Sequence, residues 1–199
     1  MDFDKIVEKR HSVRTFTGKV VSWKDVLVAI DAAIKGPGAG GDLPFKFIIV
    51  ENAKKIDKIA EQCDQLWINQ ASIIVVITSD DKHLEKMYGD RGRIFSRQQA
   101  GAAINTFLLK LVDLGLSGCW VGSYNDNKIR HLLAIPSEKQ IEAIIPIGYE
   151  KPSPKTNRGK SRKRKLENYL FWDAWDQESR NPIFKENTSH KFDQHGHPL

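Results

Sequence analysis

The order of hydrophobic and polar residues predicts a chain of mixed helices and strands. Apolar positions three and four apart predict helices at residues 2–9, 22–35, 52–63, 98–114 and 126–133. Short apolar runs predict strands at residues 45–51, 73–78, 119–121 and 143–149, and the run at 73–78 is apolar enough to be buried on both faces. Ser22 and Asn52 are the side chains expected to cap two of the helices.

Two segments fall outside this pattern. Gly36 and Pro37 end the second helix, and the glycines up to Gly41 predict a mobile loop. Residues 80–96 are polar with weak periodicity, which predicts a lid or a connecting segment. Because a regular strand–helix–strand alternation is missing, we expect an α+β fold, with a single domain at residues 1–176 and a polar tail at 177–199.

The basic charge of the chain is concentrated in one stretch. The 199 residues carry 31 basic and 25 acidic side chains, a net charge of +6. Residues 150–168 contain eight Lys or Arg and two Glu, so this stretch accounts for the whole excess. Such a segment predicts an anionic partner. Charge alone leaves three classes open: nucleic acid, a lipid surface or a small phosphorylated ligand.

Composition excludes several classes of protein. Hydrophobic residues make up 40% of the chain, which is typical of a folded globular domain. No apolar run approaches the ~20 residues that span a bilayer, and the acidic N-terminal residues do not resemble a signal peptide. The two cysteines, Cys63 and Cys119, are too few for a disulfide framework or a cysteine-based zinc site. We therefore expect a cytoplasmic protein without a metal or a membrane partner.

Three short motifs carry residues suited to ligand binding. Arg10, Ser12 and Arg14 can donate to a phosphate from the end of the first helix, or they can form a solvated helix end. Residues 160–165 are five cations around one serine, a pattern of nucleic-acid-binding or solvated segments. Glycines in residues 115–122 permit close approach of a flat ligand, or a tight helix-to-strand connection. Neither the Rossmann nor the P-loop glycine motif is found.

Taken together, four motifs resemble the FMN-dependent nitroreductase family. Residues 6–16 (IVEKRHSVRTF) are similar to its RRSxRxF motif, and residues 101–122 (GAAINTFLLKLVDLGLSGCWVG) to its central helix and GLGxxWxG turn. Residues 144–152 (IIPIGYEKP) are similar to its PxGYP strand end, and residues 162–175 (RKRKLENYLFWDAW) to its closing segment. The order and spacing of all four agree, and the resemblance covers most of residues 3–176.

The resemblance implies a three-layer α-β-α fold with a mixed, largely antiparallel sheet, in a homodimer that exchanges C-terminal arms. It also implies one FMN in each of two interface clefts, NAD(P)H as electron donor, and a nitroaromatic, quinone or similar electron-poor acceptor. The residues that it assigns to the cofactor are Arg10, His11, Ser12, Arg14, Gly38, Gly41, Leu43, Val121, Gly122, Lys160, Arg162 and Arg164.

The resemblance gives these residues separate roles. Arg10 and Ser12 are expected at the FMN phosphate and ribityl chain. Arg14 is expected at the N1/O2 edge of the ring, where a cation stabilises the reduced flavin. The backbone of Val121 and Gly122 is expected near N5. The closing phosphate ligands are Arg162 and Arg164, or Lys160 and Arg162 if the register shifts by two residues. His11 is interpreted as structural rather than as an acid or base.

The chain departs from the family pattern in the loop before the first strand. Gly38, Gly41 and Leu43 stand where the family has serine, asparagine and glutamine. Backbone groups can still donate there, but side-chain contacts to the ring are lost, which predicts weaker flavin binding or a changed reduction potential. Three alternatives stay open: another flavin reaction, a role in storing or sensing FMN, and nucleic-acid binding through residues 158–165, which the resemblance disfavours.

Overall fold

An antiparallel sheet lies at the centre of the structure, a computed structural model that describes residues 2–152 and 165–178. Within residues 2–152 the strands are β1 (Phe45–Val50), β2 (Ile73–Ser79), β3 (Ser117–Gly118) and β4 (Gln140–Gly148). They lie in the order β1-β2-β4-β3, and every pairing among them is antiparallel. All residues of β2 are buried, as the sequence predicts for this central strand.

Helices cover the sheet, and local side chains explain where several of them begin. They are α1 (Phe3–Lys9), α2 (Trp23–Ala33), α3 (Ala53–Gln62), α4 (Asp81–Tyr88), α5 (Arg91–Asp113) and α6 (Asp126–Leu133). The Asn52 side chain accepts a hydrogen bond from the Lys55 N–H at 3.1 Å, which confirms the predicted cap of α3. Ser22 occupies the N-cap position of α2, but its side chain makes no capping hydrogen bond.

The hydrophobic core has two parts, one on each face of the sheet. On one face, apolar residues of α2 and α5, among them Val26 and Phe107, pack against Val75 and Ile145. On the other face, residues of α3 and α6 pack against Ile74, Val76 and Ile144. The sheet therefore lies between two helical layers, which confirms the predicted three-layer α+β architecture.

The polar segment 80–96 is helical, which its weak periodicity does not indicate, and its role as a lid or connector stays a prediction. It contains α4 and the first turns of α5, which meet at Gly89. A Cβ atom at Gly92 would lie 2.3 Å from the backbone carbonyl of Leu84, so the two helices pack with almost no space between them. Glycine is what permits this close approach.

The structure divides into the units Met1–Pro152 and Ser153–Leu199. In the second unit, the described residues 165–178 contain a 3₁₀ turn at Leu166–Tyr169 and a close pair of rings, Phe171 and Trp175, with centroids 5.1 Å apart. The cations Lys160, Arg162 and Arg164 lie outside the described residues. The domain boundary at 176 and the exchange of arms stay predictions. None of the helices in residues 2–152 and 165–178 could cross a membrane.

Candidate functional site

The cationic segment, residues 10–14, leaves α1 as extended chain and is fixed to the ends of the central strands. The Val13 N–H donates to the Gly118 carbonyl at 3.3 Å, and Phe16 forms an antiparallel bridge with Glu150. Val13 and Phe16 are buried, and the Phe16 ring packs against Trp67 with centroids 6.4 Å apart. Val13 is thus the buried anchor between the exposed residues Ser12 and Arg14, whose side chains point away from it in the extended chain.

His11 joins the cationic segment to the end of β4. Its Nε2 lies 3.0 Å from a carboxylate oxygen of Glu150, and its Nδ1 lies 2.8 Å from the Lys9 carbonyl. Both neighbours are hydrogen-bond acceptors, so both ring nitrogens are engaged within the chain. These contacts hold the His11 ring within the chain, and its structural role stays a prediction.

The glycine turn, residues 118–122, presents fixed backbone. Val121 exchanges two hydrogen bonds with Ile144, its N–H donating at 3.0 Å and its carbonyl accepting at 3.1 Å. The next residue, Gly122, is exposed, and a Cβ atom built there would meet no other atom within 4 Å. The turn is therefore rigid at Val121 and open beside Gly122. β3 is formed by Ser117 and Gly118, and the strand predicted at 119–121 is reduced to the single bridge at Val121.

The cationic segment and the glycine turn meet at Cys119. Burial raises the pKa of this thiol, while the charge of Arg14, a hydrogen bond with Ser12 and the charge of Arg10 act in the opposite direction. The hydrogen bond from the Val13 N–H to the Gly118 carbonyl places the cationic segment beside the turn. Cys119 itself is 2% exposed, which keeps the thiol from acting as a nucleophile.

The two arginines of the cationic segment differ from three of the other four arginines in the described chain; the fourth, Arg91, lies over the Phe95 ring and has no ion pair within those residues either. Arg93, Arg97 and Arg130 each form an ion pair with a carboxylate. Among residues 2–152 and 165–178, no carboxylate forms an ion pair with Arg10 or Arg14. Unpaired guanidinium groups beside a hydroxyl and an open backbone surface suit a phosphorylated ligand with a flat ring.

The glycine-rich loop, residues 38–43, is hydrogen-bonded to helices α4 and α5. It contains a 3₁₀ turn at Ala39–Gly41, and the mobility expected from its glycines stays a prediction. The Ala39 N–H donates to the side-chain oxygen of Gln99 at 3.1 Å, and the Asp42 carboxylate lies 2.5 Å from His83 Nε2. Leu43 packs against the core beside α5. Within residues 2–152, these contacts attach the loop to α4 and α5.

A cavity of about 440 Å³ opens between β1, the end of β2 and residues 133–139. It is lined mainly by apolar side chains and by the Lys139–Asp80 ion pair. Leu43 lies at its edge, but none of residues 10–14 or 118–122 lines it. The cavity is therefore separate from the place where the cationic segment and the glycine turn meet.

Comparison with known proteins identifies the family. The sequence profile of the Nitroreductase family matches residues 61–149. A candidate NADH dehydrogenase/NAD(P)H nitroreductase from Methanothermobacter thermautotrophicus is 30% identical over 160 residues, which cover 78% of this chain and 81% of that protein. The chain belongs to the nitroreductase family. The resemblance seen in the four sequence motifs is thereby confirmed.

Solved structures support the same conclusion for the fold. The crystal structure of a nitroreductase family protein from Clostridium novyi NT has 26% identity and a TM-score of 0.71, covering 89% of this chain and 96% of that one. An FMN-dependent nitroreductase from Clostridium difficile R20291 has 21% identity and a TM-score of 0.70, covering 85% and 98% of the two chains. This nitroreductase-family chain thus has the α+β fold of its relatives.

Two polar residues around the site were missed by the sequence analysis. Glu150 follows β4 and holds His11 across 139 residues of sequence, a contact that only the fold creates. Gln99 carried a detectable signal, because it lies four residues before Ala103 and eight before Phe107 on the buried stripe of α5. A polar residue on an apolar stripe indicates a specific hydrogen bond.

Proposed function

We propose that this nitroreductase-family protein is an FMN-dependent NAD(P)H oxidoreductase that acts as a homodimer. One observation carries the proposal: Arg10 and Arg14 have no carboxylate partner among the described residues, and they flank Val13, whose N–H is hydrogen-bonded to Gly118 of the glycine turn. A phosphate monoester carries about two negative charges at neutral pH and the flavin ring is flat, so each half of FMN has a matching feature. The FMN dependence of the Clostridium difficile protein supports the same cofactor.

Bound FMN supplies the redox chemistry, accepting a hydride from NAD(P)H and reducing an electron-poor acceptor such as a nitroaromatic or a quinone. The residues of the chain bind and orient the cofactor. Arg10 and Ser12 hold the phosphate and the ribityl chain, and Arg14 places a positive charge at the ring edge that becomes more negative on reduction. Val121, held by Ile144, keeps the turn at a fixed distance from the ring.

The closing cations complete the phosphate site in this proposal. Arg162 and Arg164, or Lys160 in the shifted register, lie outside the described residues, and their role rests on the sequence motif. The motif gives the basic charge of residues 150–168 a partner: a phosphate monoester, whose roughly two negative charges offset part of the +6.

The cofactor is tested by the absorbance of the purified protein. We expect a flavin spectrum that NADH or NADPH bleaches without oxygen and that a quinone or a nitroaromatic compound restores. A colourless protein that binds no added FMN would refute the proposal. If that colourless protein also shifted labelled RNA or DNA, the basic segment would be a nucleic-acid-binding element instead.

The roles of the two arginines are separated by comparing FMN with riboflavin, which lacks the phosphate. Arg10→Ala removes a charge-assisted hydrogen bond of about 1.5–3 kcal/mol, so FMN affinity should fall about 10- to 150-fold and riboflavin affinity should change little. Arg14→Ala should weaken both ligands equally and lower the reduction potential of the bound flavin. Arg91→Ala, the same change at the start of α5, is the control. Equal losses of both ligands in Arg10→Ala would contradict the assignment.

The homodimer is tested by sedimentation. Because the side-chain hydrogen bonds of the glycine-rich loop within the described residues are with α4 and α5 and not with the cationic segment, we infer that the loop reaches the flavin of a second subunit. The flavin-bound protein should therefore sediment at about 45 kDa, twice the 22.6 kDa of one chain. A stable monomer that retains FMN would contradict the shared site.

A further inference from the structure

Gln99 of α5 is a buried polar residue beneath the glycine-rich loop. It is 6% exposed, and its side-chain oxygen accepts a hydrogen bond from the Ala39 N–H at 3.1 Å. Because the Ala39 group is a donor, the oxygen of the amide must face it, which fixes the orientation of the side chain. The amide nitrogen then has no hydrogen-bond partner among the described residues.

This arrangement is unfavourable for stability alone. A buried donor without a partner gives up its hydrogen bonds to water and gains none in return. The free-energy cost of this desolvation is comparable to the net free energy gained from one neutral hydrogen bond. The neighbours of Gln99 on the same stripe of α5, Ala103, Phe107 and Leu111, are apolar and buried. An apolar side chain of the same length at position 99 would remove the unpaired amide nitrogen, and the half-buried Ala39 N–H that it releases can bond to water instead. The net contribution of Gln99 to stability is therefore small, and the main effect of its hydrogen bond is to fix the position of Ala39.

The loop that Gln99 holds is closed by two backbone hydrogen bonds of its 3₁₀ turn, from the Gly41 N–H to the Gly38 carbonyl and from the Asp42 N–H to the Ala39 carbonyl, both at 3.2 Å. Gly40 and Gly41 have positive φ angles of 64° and 82°, and glycine has more conformational freedom to lose than any other residue. The contact between His83 and Asp42 holds the far end of the loop. Gln99 holds the near end at Ala39, so the exposed glycines are fixed between two side-chain contacts.

We propose that Gln99 is a positioning residue for the flavin. It holds the glycine-rich loop in the conformation that reaches the ring of FMN in the second subunit. The loop offers backbone groups where the family pattern has polar side chains, and backbone groups recognise a ligand only when the chain that carries them is fixed. This inference rests on the proposed function and adds to it the residue that orders the loop.

The test compares Gln99→Met with Gln98→Met. Methionine matches glutamine in length but accepts no hydrogen bond from Ala39, and Gln98 is an exposed neighbour in the same helix. For Gln99→Met we expect FMN and riboflavin affinities to fall by the same factor, about five- to tenfold. The flavin-free variant should unfold at the wild-type temperature or above it. Gln98→Met should change neither quantity.

A second variant removes the same hydrogen bond from the loop side. Ala39→Pro deletes the N–H, and Gly38 has the extended backbone (φ −129°, ψ 139°) that a following proline requires. If the hydrogen bond acts as proposed, Ala39→Pro should weaken flavin binding to the same extent as Gln99→Met. The double variant should then be no weaker than either single one, because both remove one interaction.

Three results would overturn the inference while leaving the proposed function intact. The first is unchanged flavin affinity in Gln99→Met. The second is a loss confined to FMN, which would indicate an effect on the phosphate instead of the ring. The third is a lower unfolding temperature of the flavin-free variant, which would make Gln99 a stabilising residue. A wild-type protein that binds no flavin would instead remove the proposed function and this inference together.

Discussion

Gly148 at the end of β4 is where added volume should damage the fold most clearly. A Cβ atom at this position would lie 2.6 Å from Cδ1 and 2.8 Å from Cγ of the Phe16 ring. Phe16 is only 4% exposed, and its N–H donates to the side chain of Gln70 at 3.1 Å. The adjacent Thr17 N–H donates to the Tyr149 carbonyl at 2.9 Å. The ring is therefore enclosed, and its backbone is held on two sides.

Gly148→Ala should accordingly destabilise the protein by the cost of overpacking, about 1–3 kcal/mol. For a chain of this size that corresponds to a fall in Tm of about 2–12 °C. The assay is thermal unfolding followed by circular dichroism, with urea unfolding for the free energy. A variant as stable as the wild type would show that Phe16 can move aside, and it would refute the claim that the cationic segment is rigidly anchored.

Gly122→Ala is the matched control for this prediction. It adds the same methyl group where no atom lies within 4 Å, so stability should change by less than about 0.5 kcal/mol. If the flavin lies against this backbone, the same methyl should lower flavin affinity. The two glycines would then separate the fold from the site, Gly148→Ala lowering stability and Gly122→Ala lowering flavin binding.

Three further predictions concern other parts of the chain. Burial raises the pKa of Cys63 to about 11 and also raises that of Cys119, so Ellman's reagent should label native protein at least about tenfold more slowly than urea-unfolded protein. The hydrogen bond with Lys139 lowers the pKa of Asp80 in the folded protein. The pair therefore stabilises the fold fully at pH values above the pKa of Asp80 in the unfolded chain, and this stabilisation is lost as the pH falls through the lowered pKa of the folded protein. In urea unfolding, Asp80→Asn should cost up to about 1 kcal/mol at neutral pH and nothing in acid. Gly41→Asn should tighten FMN binding up to about tenfold in a fluorescence titration, because asparagine tolerates a φ of 82° and nothing lies within 4 Å; unchanged affinity in an intact dimer would remove the loop from the site.

Sequence periodicity located the elements whose buried positions are apolar. β2 and α6 have the predicted type and nearly the predicted ends. The first turns of α5 were missed because their buried residues are Gly92 and Ser96, which add nothing to an apolar pattern. β3 was misplaced for a similar reason. Its buried residue is Gly118, which has no apolar side chain to contribute to the alternating pattern that predicts a strand.

The candidate site also contains parts that the sequence predicts and parts that it does not. Residues 10–14 and 118–122 were found as local motifs, and the fold brings them together at Cys119. Their supports were not predictable, because they come from distant parts of the chain. Gln70 is 54 residues from Phe16, and Gln99 is 60 residues from Ala39. Hydrogen bonds over such separations follow from tertiary packing, which no short sequence window contains.

The departure of the glycine-rich loop from the family pattern has a consequence for ligand selectivity. In the proposed site the phosphate meets charged side chains, whereas the ring meets backbone at the glycine turn and at the glycine-rich loop. Charge-assisted hydrogen bonds are about twice as strong as neutral ones, so the phosphate should contribute the larger share of the binding free energy. This chain should therefore discriminate strongly between FMN and riboflavin. Restoring a side chain at position 41 should strengthen the ring contacts, which are common to FMN and riboflavin. If the ring and phosphate contacts are independent, both affinities should rise by the same factor and their ratio should stay constant.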